Sequence, residues 1–367
     1  MRSVTVAKFG GSSLSTAAGI KRCLNLIKTQ EYQVVVVSAN GKMTQNLDLL
    51  VLYHRQSNTQ AFGQIWAKIT SFYDAILTEL SLNSIKTSRF LTLLMALKDE
   101  FNNQEGSSDA FRDRILAYGE YLSAGLLNEL ADFHFVPATQ LIRTNNMYGA
   151  AEPDAPAIRK NVDVLINEHD FSKKPLLTQG FVGCDDDGNA TTLGFEGSDF
   201  SAALLSEAFE AESLTIWTDV AGIYTGDPRY IQHALGIDQM SYAFAERICQ
   251  YGARVLHPRT LEPLKRANIP LNVRSTLESN KPGTLITNQG VDSMPVITSQ
   301  VSKIWLHHFD AETLEHLQQF HPIKIVSITE PFSLAIIETQ NAVSQIELMQ
   351  QIHECWLVMQ KEKKYAR

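Results

Sequence analysis

The chain opens on a short β-branched run, Val4-Thr5-Val6-Ala7, followed by Lys8-Phe9 and then Gly10-Gly11-Ser12-Ser13. This pattern predicts a buried strand that ends in a glycine turn and enters a helix. Two glycines let an anion approach the backbone closely, and the Ser-Ser step is expected to cap the helix, whose N-terminus attracts negative charge. Plain tight turns are built the same way, so a structural turn and a phosphate cradle both stay open on this stretch alone. Apolar residues at Ile20, Cys23, Leu24 and Ile27 mark the helix, and Val34-Val35-Val36-Val37 reads as a strand buried on both faces. Strand, helix and strand in that order imply a parallel sheet covered by helices, an α/β fold. The second strand runs out into Ser38-Ala39-Asn40-Gly41-Lys42-Met43-Thr44. Ligands collect at the carboxyl ends of parallel strands, so both turns are expected to face one crevice.

Helical stripes follow over 62–80, 90–97 and 111–130. Glu120 lies in the third of these among apolar neighbours; pattern alone favours a surface charge over a carboxylate aimed into the cleft. Arg143-Thr144-Asn145-Asn146 and Ala151-Glu152-Pro153-Asp154 form a polar loop before a strand at 176–181. The tip Asp185-Asp186-Asp187 is expected to be solvated. A second glycine turn, Gly194-Phe195-Glu196-Gly197-Ser198-Asp199-Phe200, leads into a helix to Glu210 that Ser198 or Asp199 would cap. Strands at 214–217 and 269–274 flank a helix at 238–250. The tail predicts strand 302–309, helix 311–320, strands 323–329 and 332–338 joined by a Glu330-Pro331 turn, helix 342–353 and strand 355–360. That βαββαβ order is one small α+β, ferredoxin-like unit. The expected domains are 1–290 and 291–367.

With 367 residues, 44% of them hydrophobic, the chain has ample material for such a core. No apolar run is long enough to span a membrane, and no signal-peptide pattern opens the chain, so no membrane partner is expected. The four cysteines, Cys23, Cys184, Cys249 and Cys355, lie far apart without a CxxC pair, as reduced thiols of a cytoplasmic protein would. A net charge of −8 argues against nucleic acid as a partner. A polyanionic substrate would then need a local positive pocket, which Lys8 begins to supply. The basic run Lys361 to Arg367 reads as a solvated tail, and His257 as structural. His307 and His308, adjacent on a strand, would face opposite sides.

Five segments together resemble the aspartate kinases of the amino-acid kinase family. They are Lys8 through Ser13; Ser38-Ala39 through Thr44; Gly119-Glu120 with Ser123; Arg143-Thr144-Asn145 with Glu152-Pro153-Asp154 and Thr178-Gln179-Gly180-Phe181; and the run from Thr191 through Asp219, Tyr224 and Asp227-Pro228-Arg229 to Leu256-His257-Pro258. They span about the first 285 residues, and the combination is far more specific than any one piece. The resemblance implies a parallel-sheet αβα sandwich that transfers the γ-phosphoryl group of ATP, with Mg²⁺, to the β-carboxylate of L-aspartate. It implies Lys8 as the cation on the transferring group and Asp199 as the carboxylate that orients it. Lys8, Phe9, Gly10, Gly11, Ser12, Thr218, Asp219, Tyr224, Arg229, Arg254 and Val255 resemble the ATP-binding set, and Thr44, Glu120, Thr192 and Ser198 the aspartate-side set, with Glu120 facing the amino group. No carboxylate cluster marks the metal ligands.

The chain departs from the family at Phe195, where the turn normally carries an arginine that grips a carboxylate of aspartate. Losing one such contact costs roughly 1.5–3 kcal/mol, and Arg143 is the cation expected to compensate. The tail resembles an ACT unit, with length for one where these kinases usually carry two. Its first strand-to-helix turn, His307 to Ala311, has no glycine. It is therefore expected to serve homodimerisation more than inhibition by lysine or threonine. Two alternatives stand beside aspartate kinase: a kinase for another carboxylate acceptor, and a non-catalytic paralogue that binds nucleotide or amino acid.

Overall fold

The computed structural model describes residues 4–102, 108–253, 255–321, 323–329, 332–338 and 342–365. In chain order the strands are β1 Thr5–Phe9, β2 Val34–Val37, β3 His134–Phe135, β4 Leu176–Gln179, β5 Val182–Cys184, β6 Ala190–Thr192, β7 Ser213–Thr218 and β8 Ile223–Tyr224. They continue with β9 Gly236–Ile237, β10 Gln239–Ser241, β11 Leu271–Ser275, β12 Thr284–Thr287, β13 Val296–Gln300, β14 Lys303–His307, β15 Lys324–Thr329 and β16 Phe332–Glu338. The helices are α1 Ala17–Thr29, α2 Met43–Arg55, α3 Thr59–Leu80, α4 Ser84–Glu100, α5 Asp109–Leu130, α6 Ala138–Leu141, α7 Ala155–Glu168 and α8 Gly197–Ala208. After these come α9 Tyr242–Gln250, α10 Pro258–Ala267, α11 Ala311–Gln318 and α12 Ala342–Tyr365. Packing divides the chain into two units, Met1–Val220 with Glu262–Ser279, and Ala221–Leu261 with Asn280–Arg367.

In the first unit six strands run parallel in the order β11-β7-β1-β2-β4-β3. The four valines of β2 are fully buried, as a strand covered on both faces requires. Ala7, Phe9, Val35, Val37 and Leu177 point into a core they share with α1 to α5. The alternate residues Val6, Val34, Val36 and Leu176, equally buried, face the other side, where α8 packs on β1, β2 and β7. Lys8 sits between Val36 and Ile216 in the middle of this sheet, near its carboxyl edge.

Both predicted caps differ. The cap of α1 is Thr16, whose side chain accepts from the Gly19 amide at 3.1 Å; Ser12 and Ser13 stay in the turn before it. Helix α8 begins after Glu196, which stands at φ 54° with no side-chain cap bond, so neither Ser198 nor Asp199 caps it. The β5–β6 hairpin tip is not uniformly solvated: Asp185 is buried and accepts from the amides of Asp187 (3.1 Å) and Asn189 (2.8 Å) and from the Tyr148 hydroxyl (2.8 Å).

In the second unit β10 and β12 pair in parallel, and the antiparallel sheet β13-β14-β16-β15 packs against α11 and α12 around Leu306, Leu314, Ile352 and Trp356. The expected last strand at 355–360 is instead part of α12, which runs on to Tyr365. The buried positions Met349, Ile352, His353 and Trp356 keep helical spacing through that stretch, and the fourth strand of the sheet comes from Val296–Gln300. The tail therefore runs ββαββα rather than βαββαβ. The Glu330-Pro331 turn lies outside the described residues. His307 is fully buried and bonded to the Thr298 hydroxyl at 2.9 Å, and burial together with Arg247 pushes its imidazole down to about 3. No helix among the described residues is long and apolar enough to cross a membrane.

Candidate active site

Three turns of the first unit meet at one cavity of about 450 Å³. The first turn reaches the second by close backbone approach: a Cβ on Gly11 would stand 2.5 Å from the Ala39 carbonyl oxygen, so only glycine fits. The Gly41 amide donates to the Gly11 carbonyl at 2.8 Å, and the Asn40 side chain donates to the Leu14 carbonyl at 2.8 Å. The third turn is seated by Gly180, whose added Cβ would lie 2.6 Å from the Ser198 Cβ. These contacts place Gly11, Ala39, Gly41, Thr44, Glu120, Thr192, Phe195, Glu196, Ser198 and Asp199 around Lys8.

At the floor, Lys8 Nζ meets Asp199 Oδ1 at 2.6 Å, both side chains about nine-tenths buried. Asp199 reaches the lysine because α8 packs on β1 and puts its first turn over the strand's end. Glu120, the residue whose local pattern favoured the surface, is 2% exposed. Its Oε1 accepts from the Ala39 amide at 3.0 Å and from the Ser198 hydroxyl at 3.4 Å, while Oε2 is buried with no hydrogen-bond partner among the described residues. Burial raises the carboxyl to about 8 against those bonds and the pull of Lys8. Glu196 is held near 7, by burial and then by the neighbouring Asp199 charge, and its Oε2 also has no hydrogen-bond partner among the described residues. Such a cavity offers one committed cation, a phosphoryl-sized approach over glycine backbone, and carboxylates ready to receive a cationic group.

Other expected residues fall elsewhere. Phe9 puts its ring in the core, parallel to Trp217 at 6.3 Å, so only its backbone is near the turn. Thr218 ends β7, the strand next to β1, Asp219 follows it, and the Thr218 hydroxyl donates to Asp219 at 3.2 Å. Tyr224, Arg229 and Val255 belong to the second unit, where Arg229 holds Asp227 through a fork of bonds from 2.6 to 3.1 Å. Arg254 lies outside the described residues. Arg143 does not line the cavity; it donates to the Asp185 carbonyl at the β5–β6 tip, with Asp186 4.0 Å away. Phe195 does line it, at 80% exposure.

Two residues were missed. Asp113, buried on α5, accepts from the Gly149 amide at 2.9 Å and the Thr192 amide at 2.7 Å, and so ties the 145–150 loop to β6. Arg112 lines the cavity itself. The signal was present in the helical spacing of Arg112, Leu116 and Glu120, which stand four residues apart and share one face.

A sequence model described as the Amino acid kinase family matches residues 3–275. The chain belongs to the amino acid kinase family. Among curated relatives, the lysine-sensitive aspartokinase 3 of Escherichia coli (strain K12) is 34% identical over 298 residues, 79% of this chain and 65% of that protein. The aspartokinase of Chlamydia muridarum (strain MoPn / Nigg) is 34% identical over 296 residues, 78% of this chain and 65% of its own length. The chain thus matches less than two thirds of the length of these relatives. Its structure resembles the crystal structure of E. coli aspartokinase III in complex with aspartate and ADP, with a TM-score of 0.74 at 29% identity, covering 92% of this chain and 79% of that one.

Proposed function

We propose that this amino acid kinase transfers the γ-phosphoryl group of ATP to the β-carboxylate of L-aspartate, giving 4-phospho-L-aspartate. The observation that carries the reading is the Lys8–Asp199 pair, 2.6 Å apart on the floor of a cavity that also holds Glu120. Lys8 neutralises the transferring phosphoryl group, and Asp199 fixes the ammonium where that charge develops. Glycine backbone at Gly10 and Gly11 leaves room for the phosphates, and Glu120 receives the amino group of aspartate. The accepting carboxylate is already ionised at neutral pH, so no general base is required. An oxygen of that carboxylate forms the new bond to γ-phosphorus as the bond to ADP breaks, and positioning with charge neutralisation supplies the catalysis. The likeness to an aspartokinase solved with aspartate and ADP supports both ligands.

On the first unit the nucleotide set comprises Lys8 through Ser12, Thr218 and Asp219, and Mg²⁺ would accompany the nucleotide and help neutralise its phosphates. Thr44, Thr192 and Ser198 complete the acceptor side. We place the end of the kinase domain near residue 290, with the tail as a single ACT-like unit that joins two copies of the chain, and the enzyme in the cytoplasm, as its four widely spaced cysteines without a CxxC pair suggest. Phe195 and Glu196 at the cavity favour one second reading, a different carboxylate acceptor. The test is ATP-dependent acyl phosphate formation trapped as hydroxamate while L-aspartate is titrated. Saturable product supports aspartate as acceptor. Product with another amino dicarboxylate only moves the assignment to that acceptor, and nucleotide binding without product from any acceptor refutes the kinase reading.

A further inference from the structure

The acceptor cavity has an uneven charge inventory. Among the described residues that line it, Glu120, Glu196 and Asp199 are carboxylates, and the cations are Lys8 and Arg112. Lys8 is committed to Asp199 at 2.6 Å and to the phosphoryl group. An amino dicarboxylate brings a second carboxylate that does not react. Placed among these acidic side chains it would be repelled unless a second cation received it. Phe195 offers no charge, and Arg143 is occupied at the hairpin tip.

We infer that Arg112 is that cation, the residue that binds the non-reacting carboxylate of the acceptor and selects for it; the inference rests on the amino dicarboxylate reading above. Arg112, Leu116 and Glu120 line the cavity along one face of α5, with the two charged residues about 12 Å apart along the helix axis, at 1.5 Å per residue. A small zwitterion lying along this face puts its ammonium at Glu120 and its free carboxylate toward Arg112. The guanidinium is aimed by its neighbours. Its Nε donates to Asp48 Oδ1 at 2.7 Å, which fixes one edge of the fork and keeps the group charged. Its Nη1 lies 3.7 Å from where a Cβ on Gly149 would stand, so the other edge borders the 145–150 loop that Asp113 anchors. A planar fork held by one edge leaves its remaining donors to pair with a carboxylate.

The test compares the wild type with Arg112→Gln, Arg112→Lys, Asp48→Asn and the double variant Arg112→Gln/Phe195→Arg. KM for L-aspartate, KM for ATP, kcat and thermal midpoint are measured for each. Arg112→Gln is expected to raise KM for aspartate about 10–100-fold, with KM for ATP and kcat within about twofold. Arg112→Lys should recover part of the loss, and Phe195→Arg should restore affinity in the Gln background from across the cavity. Asp48→Asn keeps an oxygen acceptor for Nε but loses the charge that aims the fork, so it should lower the thermal midpoint and raise KM for aspartate by less than Arg112→Gln does. An unchanged KM in Arg112→Gln, or an equal rise in Arg112→Gln and Asp48→Asn with equal loss of thermal midpoint, reduces Arg112 to a structural ion pair and overturns the inference while the aspartate kinase assignment stands. A wild type that neither binds nor phosphorylates any amino dicarboxylate overturns both, and that pattern is distinct because it precedes any substitution.

Discussion

Glu120→Gln removes the ionisation of a fully buried carboxylate while keeping its shape and its Oε1 acceptor for the Ala39 amide and Ser198 hydroxyl. In the free protein, burial moves the carboxyl from an ordinary value of 4.5 to about 8. A carboxyl raised on folding binds its proton more tightly in the native state than in the unfolded one. Its contribution to stability therefore falls as pH rises from the unfolded value toward the folded one. For the values just given, this one group removes on the order of 2–3 kcal/mol between pH 5 and pH 7. The variant loses that dependence, although its new amide nitrogen takes the place of an oxygen without a partner and costs a roughly constant 1–3 kcal/mol. The measurement is urea denaturation of ligand-free wild type and Glu120→Gln at pH 5, 6 and 7. The difference between them should move toward the variant by about 2–3 kcal/mol over that interval. The substrate's ammonium reverses the preference by demanding the ionised form. Aspartate binding at pH 7 should therefore release a proton from the wild type, visible as a buffer-dependent binding enthalpy, and KM should rise at least tenfold in the variant. Parallel stability profiles, or a wild-type KM in the variant, would refute the argument that Glu120 is a desolvated ammonium receptor.

The other predictions concern the floor of the cavity and its turns. Lys8→Ala should lower kcat by about 100–1,000-fold with a smaller change in KM for aspartate, because the charge acts where the phosphoryl group develops its own; the hydroxamate assay reports both. Glu196→Gly places glycine at φ 54° and removes a half-buried carboxylate held near 7, and it should raise stability by about 1 kcal/mol at pH 7.5 in thermal or urea unfolding. The gain should shrink as pH falls through 7 toward 4.5, since the native state then holds the proton it favours. Gly180→Ala forces a methyl against Ser198 at 2.6 Å, so it should cost about 1–3 kcal/mol of stability and raise KM for aspartate by moving the turn that carries Ser198 and Asp199.

Much of the site is legible in the chain because its parts are local. Lys8 before two glycines and Asp199 in a second glycine turn announce charged groups at strand ends, and the all-valine run at 34–37 announces a strand covered on both faces. Local logic also misleads in identifiable places. Thr16 displaces the serines as cap because the first turn is spent on packing against Ala39 and Gly41. The 355–360 stretch looks like a strand by residue type, yet Trp356 completes a helical row with Met349 and Ile352.

What this sequence determines by itself is the order of its elements, the residue types at each turn and the family they belong to. Periodicity and turn chemistry are properties of neighbours in the chain. Whether Glu120 is a surface charge or a buried receptor depends on Ala39 and Ser198, 81 and 78 residues away. That Arg112 rather than Arg143 stands in the cavity depends on how α5 lies against it. Burial and pairing are sums over distant neighbours, and only the folded chain brings those neighbours together.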